Sequence, residues 1–284
     1  MVSYAKESKV CAMNYKIVAS DLDRTLLTDD HGVSPENMQA IAQLTEKGVH
    51  FVPASGRAYD EMPKALLENP NIRYYITSDG ACIYDKQTRT AHELAMEPAL
   101  VKDVLDVVYQ YPICPMIHYD TIAYVDAATH NPVDYAAFNM NDYWISFAMA
   151  NEIPMENLQQ VAYTLPRIQS IVPFFKDMAD LEECREILSK DSRLLLAQTD
   201  PYNLEIFSCK AGKGNALHYL ADMLGIDRAA TIAVGDSTND MTMVQAAGLG
   251  LAVENAVPEL KKAADRIICP YYEHSAKYIL EHYF

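Results

Sequence analysis

The sequence predicts an α/β protein, in which a doubly wound, mainly parallel sheet forms a Rossmann-like core and an inserted α+β cap domain interrupts it. Short apolar runs alternate with helical patterns near both ends of the 284-residue chain, which is typical of parallel sheets covered on both faces. Four of these runs end directly in Asp or Ser, and the middle of the chain shows hairpin patterns instead. The predicted strands are 16–20, 49–54, 74–77, 231–235, 249–253 and 266–269.

Helical patterns lie between the predicted strands. The first has a capping serine, a proline at its first position and a terminating glycine, which are the usual start and stop signals. The predicted helices run from Ser34 to Gly48, over 215–224, and from Ser237 or Thr238 to Gly248. Ligands in such folds bind beyond the carboxyl ends of the strands, so we expect the site where the apolar runs end in polar residues.

The middle of the chain has a different pattern. Helical periodicity over 97–109, 157–163 and 180–188 is interrupted by two predicted hairpins, at 116–125 and 194–208. We therefore expect a leader at 1–12 with a functional start at Met13, a core formed by 13–84 and 209–284, and a cap formed by 85–208. The expected hinges are 84–85 and 209–212, because Gly212 tolerates wide dihedral change.

The amino-acid composition limits which binding partners and which cellular compartment are expected. The net charge of −16 disfavours nucleic acid and anionic membrane surfaces, and no stretch is long and apolar enough to span a bilayer. The six cysteines include no CxxC pair, which favours reduced thiols in a cytoplasmic protein. The sequence does not indicate an oligomeric state.

The segment Asp21-Leu22-Asp23-Arg24-Thr25 follows the first predicted strand. Two neighbouring carboxylates after a buried strand repel each other unless a cation joins them, and Mg²⁺ prefers oxygen ligands. One carboxylate could then attack phosphorus while the other transfers the proton of the leaving group. A solvated acidic turn is the alternative for this segment taken alone.

A second acidic segment, Gly235-Asp236-Ser237-Thr238-Asn239-Asp240, follows the strand at 231–235. Asp236 could complete the metal shell, with Asn239 and Asp240 beside it. An ordinary helix N-cap is the alternative, because acidic residues favour helix N-termini.

Two further segments could bind phosphate. Ser55 and Gly56 follow a strand end, where a hydroxyl and free backbone N–H groups can hold phosphate oxygens, although a capping serine is the commoner use. Lys213 could neutralise the phosphate and keep Asp21 ionised, although a solvated lysine before a helix is the alternative, and Lys210 is a weaker candidate. Arg57 is predicted to form a structural ion pair.

These four segments, in this order, resemble the motifs of the haloacid dehalogenase superfamily, and the large insertion before Lys213 resembles its Cof-type sugar-phosphatase branch. The resemblance covers the chain from about Met13 onward and implies a role for each residue. Asp21 would be the phosphorylated nucleophile and Asp23 the general acid/base. Asp21, the backbone carbonyl of Asp23 and Asp236 would bind Mg²⁺, while Ser55, Gly56 and Lys213 would bind phosphate. Thr25, Asn239 and Asp240 would have supporting roles.

The resemblance implies a Mg²⁺-dependent phosphatase of a small phosphorylated metabolite, such as a sugar phosphate. A phosphotransferase or mutase, and a non-catalytic phosphometabolite-binding protein, are the alternatives. Asp79 departs from the Asn that relatives usually carry, and its charge could alter contacts with the leaving group. The cap residues expected to select the leaving group are His118, Tyr124, Trp144 and Tyr202.

Overall fold

The computed structural model describes residues 14–284, so the predictions for the leader and for Met13 lie outside the described residues. The strands are β1 Ile17–Ser20, β2 His50–Pro53, β3 Tyr74–Thr77, β4 Cys82–Asp85, β5 Thr90–Glu93, β6 Ile113–Tyr119, β7 Ile122–Asp126, β8 Ile153–Met155, β9 Ser170–Phe175, β10 Leu194–Ala197, β11 Glu205–Ser208, β12 Thr231–Gly235, β13 Leu249–Ala252 and β14 Arg266–Ile267. The α-helices are α1 Pro35–Glu46, α2 Lys64–Leu67, α3 Pro98–Val108, α4 Pro132–Ala137, α5 Asp142–Asn151, α6 Leu158–Ala162, α7 Met178–Leu188, α8 Lys213–Leu224, α9 Met241–Ala246, α10 Pro258–Ala263 and α11 Ser275–Tyr283.

A five-stranded sheet in the order β14-β13-β12-β1-β2 is built from both ends of the chain, and all its pairs are parallel. Ile17 of β1 is in register with Thr231 of β12 and His50 of β2, so these three strands end at the same edge. Two apolar clusters use opposite faces of β1: Val18 belongs to one, and Ile17 and Ala19 to the other. The predicted α/β fold class is therefore confirmed.

The strand β3 differs from expectation because it does not join the parallel ladder as a full member. A single parallel bridge, Ala54 with Ile76, connects it to the end of β2, while its own ladder is antiparallel to β4 and continues to β5. The boundary expected at Asp85 falls inside this three-stranded sheet. The division into core and cap stays a prediction.

A second, six-stranded sheet in the order β10-β11-β9-β6-β7-β8 lies in the inserted segment. Side chains alternate between its faces. Ile117, Ile171 and Ile206 point to one face, where they pack in a cluster with α3 and α7 residues such as Val104 and Leu181. The other face carries the alternate positions of the same strands and packs partly against α4 and α5. The two faces of this sheet therefore pack against different helices.

The sequence signals for the starts and ends of helices agree with most of the observed helix boundaries. Ser34 Oγ accepts a hydrogen bond from the backbone N–H of Asn37 at 3.2 Å, which makes it the N-cap of α1. The helix predicted over 215–224 begins two residues earlier, at Lys213. The helix predicted after Ser237 is divided into a 3₁₀ turn at Thr238–Asp240 and then α9.

Within residues 14–284, no helix combines the length and apolar character needed to cross a membrane. The five cysteines in this part of the chain are free thiols, as predicted: Cys82, Cys114, Cys184, Cys209 and Cys269. Cys11 lies outside the described residues.

Candidate active site

Three strand ends bring the predicted catalytic segments together. Asp21 follows β1, Asp236 follows β12 and Ser55 lies just beyond β2, at the same edge of the parallel sheet. Both carboxyl groups are buried, with 7% of each residue exposed. Ser55 is also buried, and its Oγ accepts a hydrogen bond from the backbone N–H of Arg57 at 3.3 Å. The edge therefore combines anionic and hydroxyl groups in a protected position.

Lys213 is the central cation of this site. Its side chain is fully buried, and its Nζ lies 2.8 Å from Asp21 Oδ1, 2.7 Å from Asp240 Oδ1 and 3.9 Å from Asp79 Oδ1. Burial alone would lower the pKa of Lys213, but the nearby carboxylates of Asp21 and Asp240 outweigh it and raise that pKa well above its ordinary value. Lys213 therefore stays charged and binds the carboxylate of Asp21, in a buried position rather than a solvated one.

Asp21, Asp236 and Asp240 form a cluster in which one carboxylate oxygen of each lies within 4.8 Å of the others. Burial, followed by the charge of Asp240, raises the pKa of Asp21 and raises the pKa of Asp236 to about 7. Buried carboxylates in this excess over one lysine need a further cation to stay ionised together. An all-oxygen donor set of this kind fits Mg²⁺.

Asp240 supports the cluster through its second oxygen. Asp240 Oδ2 accepts hydrogen bonds from the backbone N–H groups of Asp236 at 3.0 Å and Ser237 at 3.1 Å. Because Oδ1 is bound to Lys213, both oxygens of Asp240 already hold protein groups. Asp21 and Asp236 are thus the better candidates for direct metal contact.

Asp23 is more open than Asp21, with 40% of its side chain exposed. Arg57 binds it with two hydrogen bonds, from Nη2 to Oδ1 at 2.7 Å and from Nε to Oδ2 at 3.1 Å. His31 Nδ1 lies 3.3 Å from Asp23 Oδ1. The ion pair predicted for Arg57 is present, and its partner is the carboxylate predicted to act as general acid/base.

Helix α5 of the inserted segment completes the environment of Arg57. Arg57 Nη2 donates to Tyr143 Oη at 3.1 Å, and the guanidinium lies over the ring of Phe147, 4.8 Å from its centroid. Tyr143 also stacks on His31, with ring centroids 4.4 Å apart. The two segments of the chain therefore meet around Asp23. Tyr143, Phe147 and His31 were not predicted as site residues, because nothing in the sequence around them signals a long-range contact.

Thr25 and Asn239, two of the predicted supporting residues, lie in different environments. Thr25 Oγ1 is buried and has no hydrogen-bond partner among residues 14–284. Asn239 donates from Nδ2 to Asp79 Oδ1 at 3.0 Å, and therefore reaches Lys213 only through Asp79. Asp79 itself has a φ of 46°, a left-handed conformation that is uncommon for a residue other than glycine.

A cavity of about 410 Å³ opens beside these groups. Asp21, Asp23, Ser55, Gly56 and Asp236 line its core side, as do Arg57 and Asn239. The inserted segment supplies the remaining walls from the sheet and from α5. Of the four predicted selectors, His118 and Trp144 line the cavity, whereas Tyr124 and Tyr202 are not among the lining residues.

Comparison with known proteins identifies the relatives of this chain. Residues 18–280 match the family described as haloacid dehalogenase-like hydrolase. A Bacillus subtilis protein named 5-amino-6-(5-phospho-D-ribitylamino)uracil phosphatase is 29% identical, covering 94% of this chain and 97% of its own length.

Two solved structures show the same fold. A haloacid dehalogenase-like hydrolase from Bacteroides thetaiotaomicron superposes with a TM-score of 0.78 at 24% identity, over 95% of this chain and 100% of its own. A sugar phosphatase of haloacid dehalogenase subclass IIB superposes with a TM-score of 0.74 at 19% identity, over 94% of this chain and 98% of its own.

Proposed function

Because the chain belongs to the haloacid dehalogenase-like hydrolase family, we propose that it is a magnesium-dependent phosphatase that acts on a small phosphorylated metabolite through an aspartyl-phosphate intermediate. It is a phosphoric monoester hydrolase, in keeping with relatives that are named phosphatases. The observation that carries the proposal is the buried Lys213, which binds Asp21 and Asp240 beside Asp236 at the wall of a cavity.

In the proposed first step, a carboxylate oxygen of Asp21 attacks the phosphorus atom. The bond from phosphorus to the leaving oxygen breaks, and Asp23 gives a proton to the leaving alcohol. In the second step, Asp23 removes a proton from water, which attacks the same phosphorus atom, releases inorganic phosphate and restores Asp21. The proton that Asp23 carries at the start of the first step neutralises its carboxyl group and thereby weakens its ion pair with Arg57.

Ser55, Gly56 and Lys213 are proposed to bind the phosphoryl group. All three lie next to Asp21 or on the same wall of the cavity, and Lys213 supplies positive charge where negative charge develops. Asp21, the backbone carbonyl of Asp23 and Asp236 would hold Mg²⁺, with Asp240 beside them. When bound, Mg²⁺ would stabilise negative charge on the phosphoryl oxygens.

The inserted segment is proposed to act as a cap, with residues 85–208 providing the walls around the leaving group. Residues from both segments line one cavity, and the contact of Tyr143 with Arg57 joins them. A cap of this kind excludes water and selects the leaving alcohol. Its proposed partner is a small phosphorylated metabolite rather than nucleic acid.

Removal of the metal tests the proposed function. We expect release of inorganic phosphate from a panel of phosphorylated metabolites to stop when EDTA is added and to return when excess Mg²⁺ follows. The physical reason is the three-carboxylate cluster, which lacks sufficient positive charge without a divalent cation. Each assay would also contain an acceptor alcohol, so that phosphoryl transfer is detected. Release that EDTA does not change would contradict the metal requirement, and preferential transfer to the alcohol would indicate a phosphotransferase.

Replacement of Asp23 with asparagine tests the proton transfers. We expect kcat to fall by a factor of about 10² to 10⁴, because asparagine keeps the size of the side chain but cannot transfer the proton in either step. Substrates with good leaving groups, such as p-nitrophenyl phosphate, need less protonation and should lose less activity in the first step. An unchanged kcat for an alkyl phosphate would show that Asp23 is not the acid/base.

A further inference from the structure

The cap side of the cavity has aromatic and apolar walls. Tyr143, Trp144 and Phe147 of α5 line it, and so do Phe174 of β9 and Phe207 of β11. Met116 and Val172 are paired neighbours on β6 and β9 and add further apolar surface. Aromatic side chains on one helix and two strands that line one space favour a flat ring between them, since aromatic pairs prefer stacked or edge-to-face contacts.

Most of the polar side chains on this side of the cavity are already bonded within the protein. His118 Nδ1 lies 3.0 Å from Ser78 Oγ. Asn203 Oδ1 accepts hydrogen bonds from the backbone N–H groups of Thr199 at 3.1 Å and Asp200 at 3.0 Å. The Thr199 hydroxyl donates to Glu205 Oε1. These groups hold the loop and the strands in place, and a ligand could use them only by breaking those bonds.

Because most polar side chains at the cavity are already hydrogen-bonded, a leaving group with many hydroxyl groups is disfavoured. A polyol that enters the cavity loses its bonds to water, and each hydroxyl without a new partner carries an energetic penalty. A largely apolar ring loses few hydrogen bonds to water when it enters the cavity, and it gains contact with the aromatic walls. Two lining residues, Ser170 through Oγ and Glu205 through Oε2, have atoms without a hydrogen-bond partner among residues 14–284, so they could bond at most two polar substituents on the ring.

We propose that the cap side of this cavity binds a flat aromatic ring, so that the substrates are phosphate monoesters of aromatic alcohols rather than of sugars. This inference rests on the proposed phosphatase function and adds the chemical class of the leaving group. Trp144 is a specificity-determining residue in this proposal, because its ring lines the cavity next to those of Tyr143 and Phe147.

The first test compares kcat/KM for three esters of primary alcohols in the presence of Mg²⁺. Benzyl phosphate supplies a flat ring, cyclohexylmethyl phosphate an apolar ring that is not flat, and glucose 6-phosphate a polyol. We expect benzyl phosphate to exceed glucose 6-phosphate by about 10²-fold or more, because hydroxyls would stay unpaired. It should exceed cyclohexylmethyl phosphate by about 3- to 10-fold through ring contacts.

Replacement of Trp144 with leucine should reduce the preference for benzyl over cyclohexylmethyl phosphate to about 2-fold or less. The matched control is Tyr163→Leu, which removes a cap aromatic residue that does not line the cavity and should leave all three kcat/KM values unchanged. A glucose 6-phosphate value equal to or above the benzyl phosphate value would overturn the inference while leaving the phosphatase function standing.

A binding experiment tests the proposed site for an aromatic ring independently of the phosphatase reaction. Titration calorimetry with Mg²⁺ would compare benzylphosphonate, which is not hydrolysed, with methylphosphonate. Tighter binding of benzylphosphonate, by about 10-fold or more, is expected from burial of its ring. Failure of all three esters to release phosphate would contradict the proposed function. Equal affinity for the two phosphonates would overturn the aromatic subsite.

Discussion

Replacing Asp21 with asparagine should abolish phosphate release from every substrate, with kcat reduced by about 10⁴-fold or more. The amide is close in size to the carboxylate but is a poor nucleophile, so the covalent intermediate cannot form. The change also removes one of the two close anionic partners of Lys213, which lies 2.8 Å from Asp21 Oδ1. Because the amide is close in size to the carboxylate and the other anionic partner, Asp240, remains, we expect the variant to fold and to retain affinity for inorganic phosphate.

The measurement is phosphate release under single-turnover and steady-state conditions, together with a thermal unfolding curve. Asp103→Asn is a suitable control, because Asp103 is an exposed carboxylate of the inserted segment that pairs with Arg193. That control should retain full activity. Release that persists in the Asp21 variant would require a different nucleophile and would remove the basis of the proposed mechanism.

Replacing Lys213 with methionine should damage both stability and activity. The side chain is fully buried against Asp21 and Asp240, and its loss leaves these carboxylates without their cation. Breaking a buried ion pair from one side costs about 3–5 kcal/mol in the free energy of unfolding. We expect a loss of that size in the absence of Mg²⁺, with a smaller loss in its presence because the metal binds the same carboxylates.

Lys210→Met is the matched control for Lys213→Met. Lys210 is exposed three residues earlier in the chain, so its replacement should change the free energy of unfolding by no more than about 0.5 kcal/mol. Adding Asp240→Asn to Lys213→Met should recover part of the lost stability, since it removes one unpaired charge. Equal stability of Lys213→Met and the wild type in urea titrations would contradict the central position of this lysine.

Local signals in the sequence predicted the parallel sheet and the residues at its edge. The runs that become β1 and β12 are buried on both faces, and each is followed directly by an acidic residue, Asp21 or Asp236. Because parallel strands in register end together, the position of these residues in space follows from their position in sequence. The pairing of Lys213 with Asp21 was expected only from the resemblance and from charge.

The cap was predicted less completely, for reasons that lie in its residues. The strand β9, at the centre of the six-stranded sheet, was not predicted, since a proline such as Pro173 argues against a central strand and the apolar run is short. The helix α5 shows little apolar periodicity, because its aromatic residues face a cavity and Arg57 rather than a uniform core. Contacts between distant segments, such as Tyr143 with His31, have no local pattern to reveal them.

The two faces of the cap sheet allow substrate choice and folding to diverge independently. Met116, Ser170 and Val172 face the cavity, whereas Ile117 and Ile171 pack against the helices on the opposite face. Substitutions at Met116 and Ser170 can thus reshape the pocket while Ile117 and Ile171 keep the sheet packed against its helices. Evolution could therefore adapt the pocket to new substrates through a few changes at these cavity-facing positions. A combinatorial library limited to those positions would sample the same range of substrates.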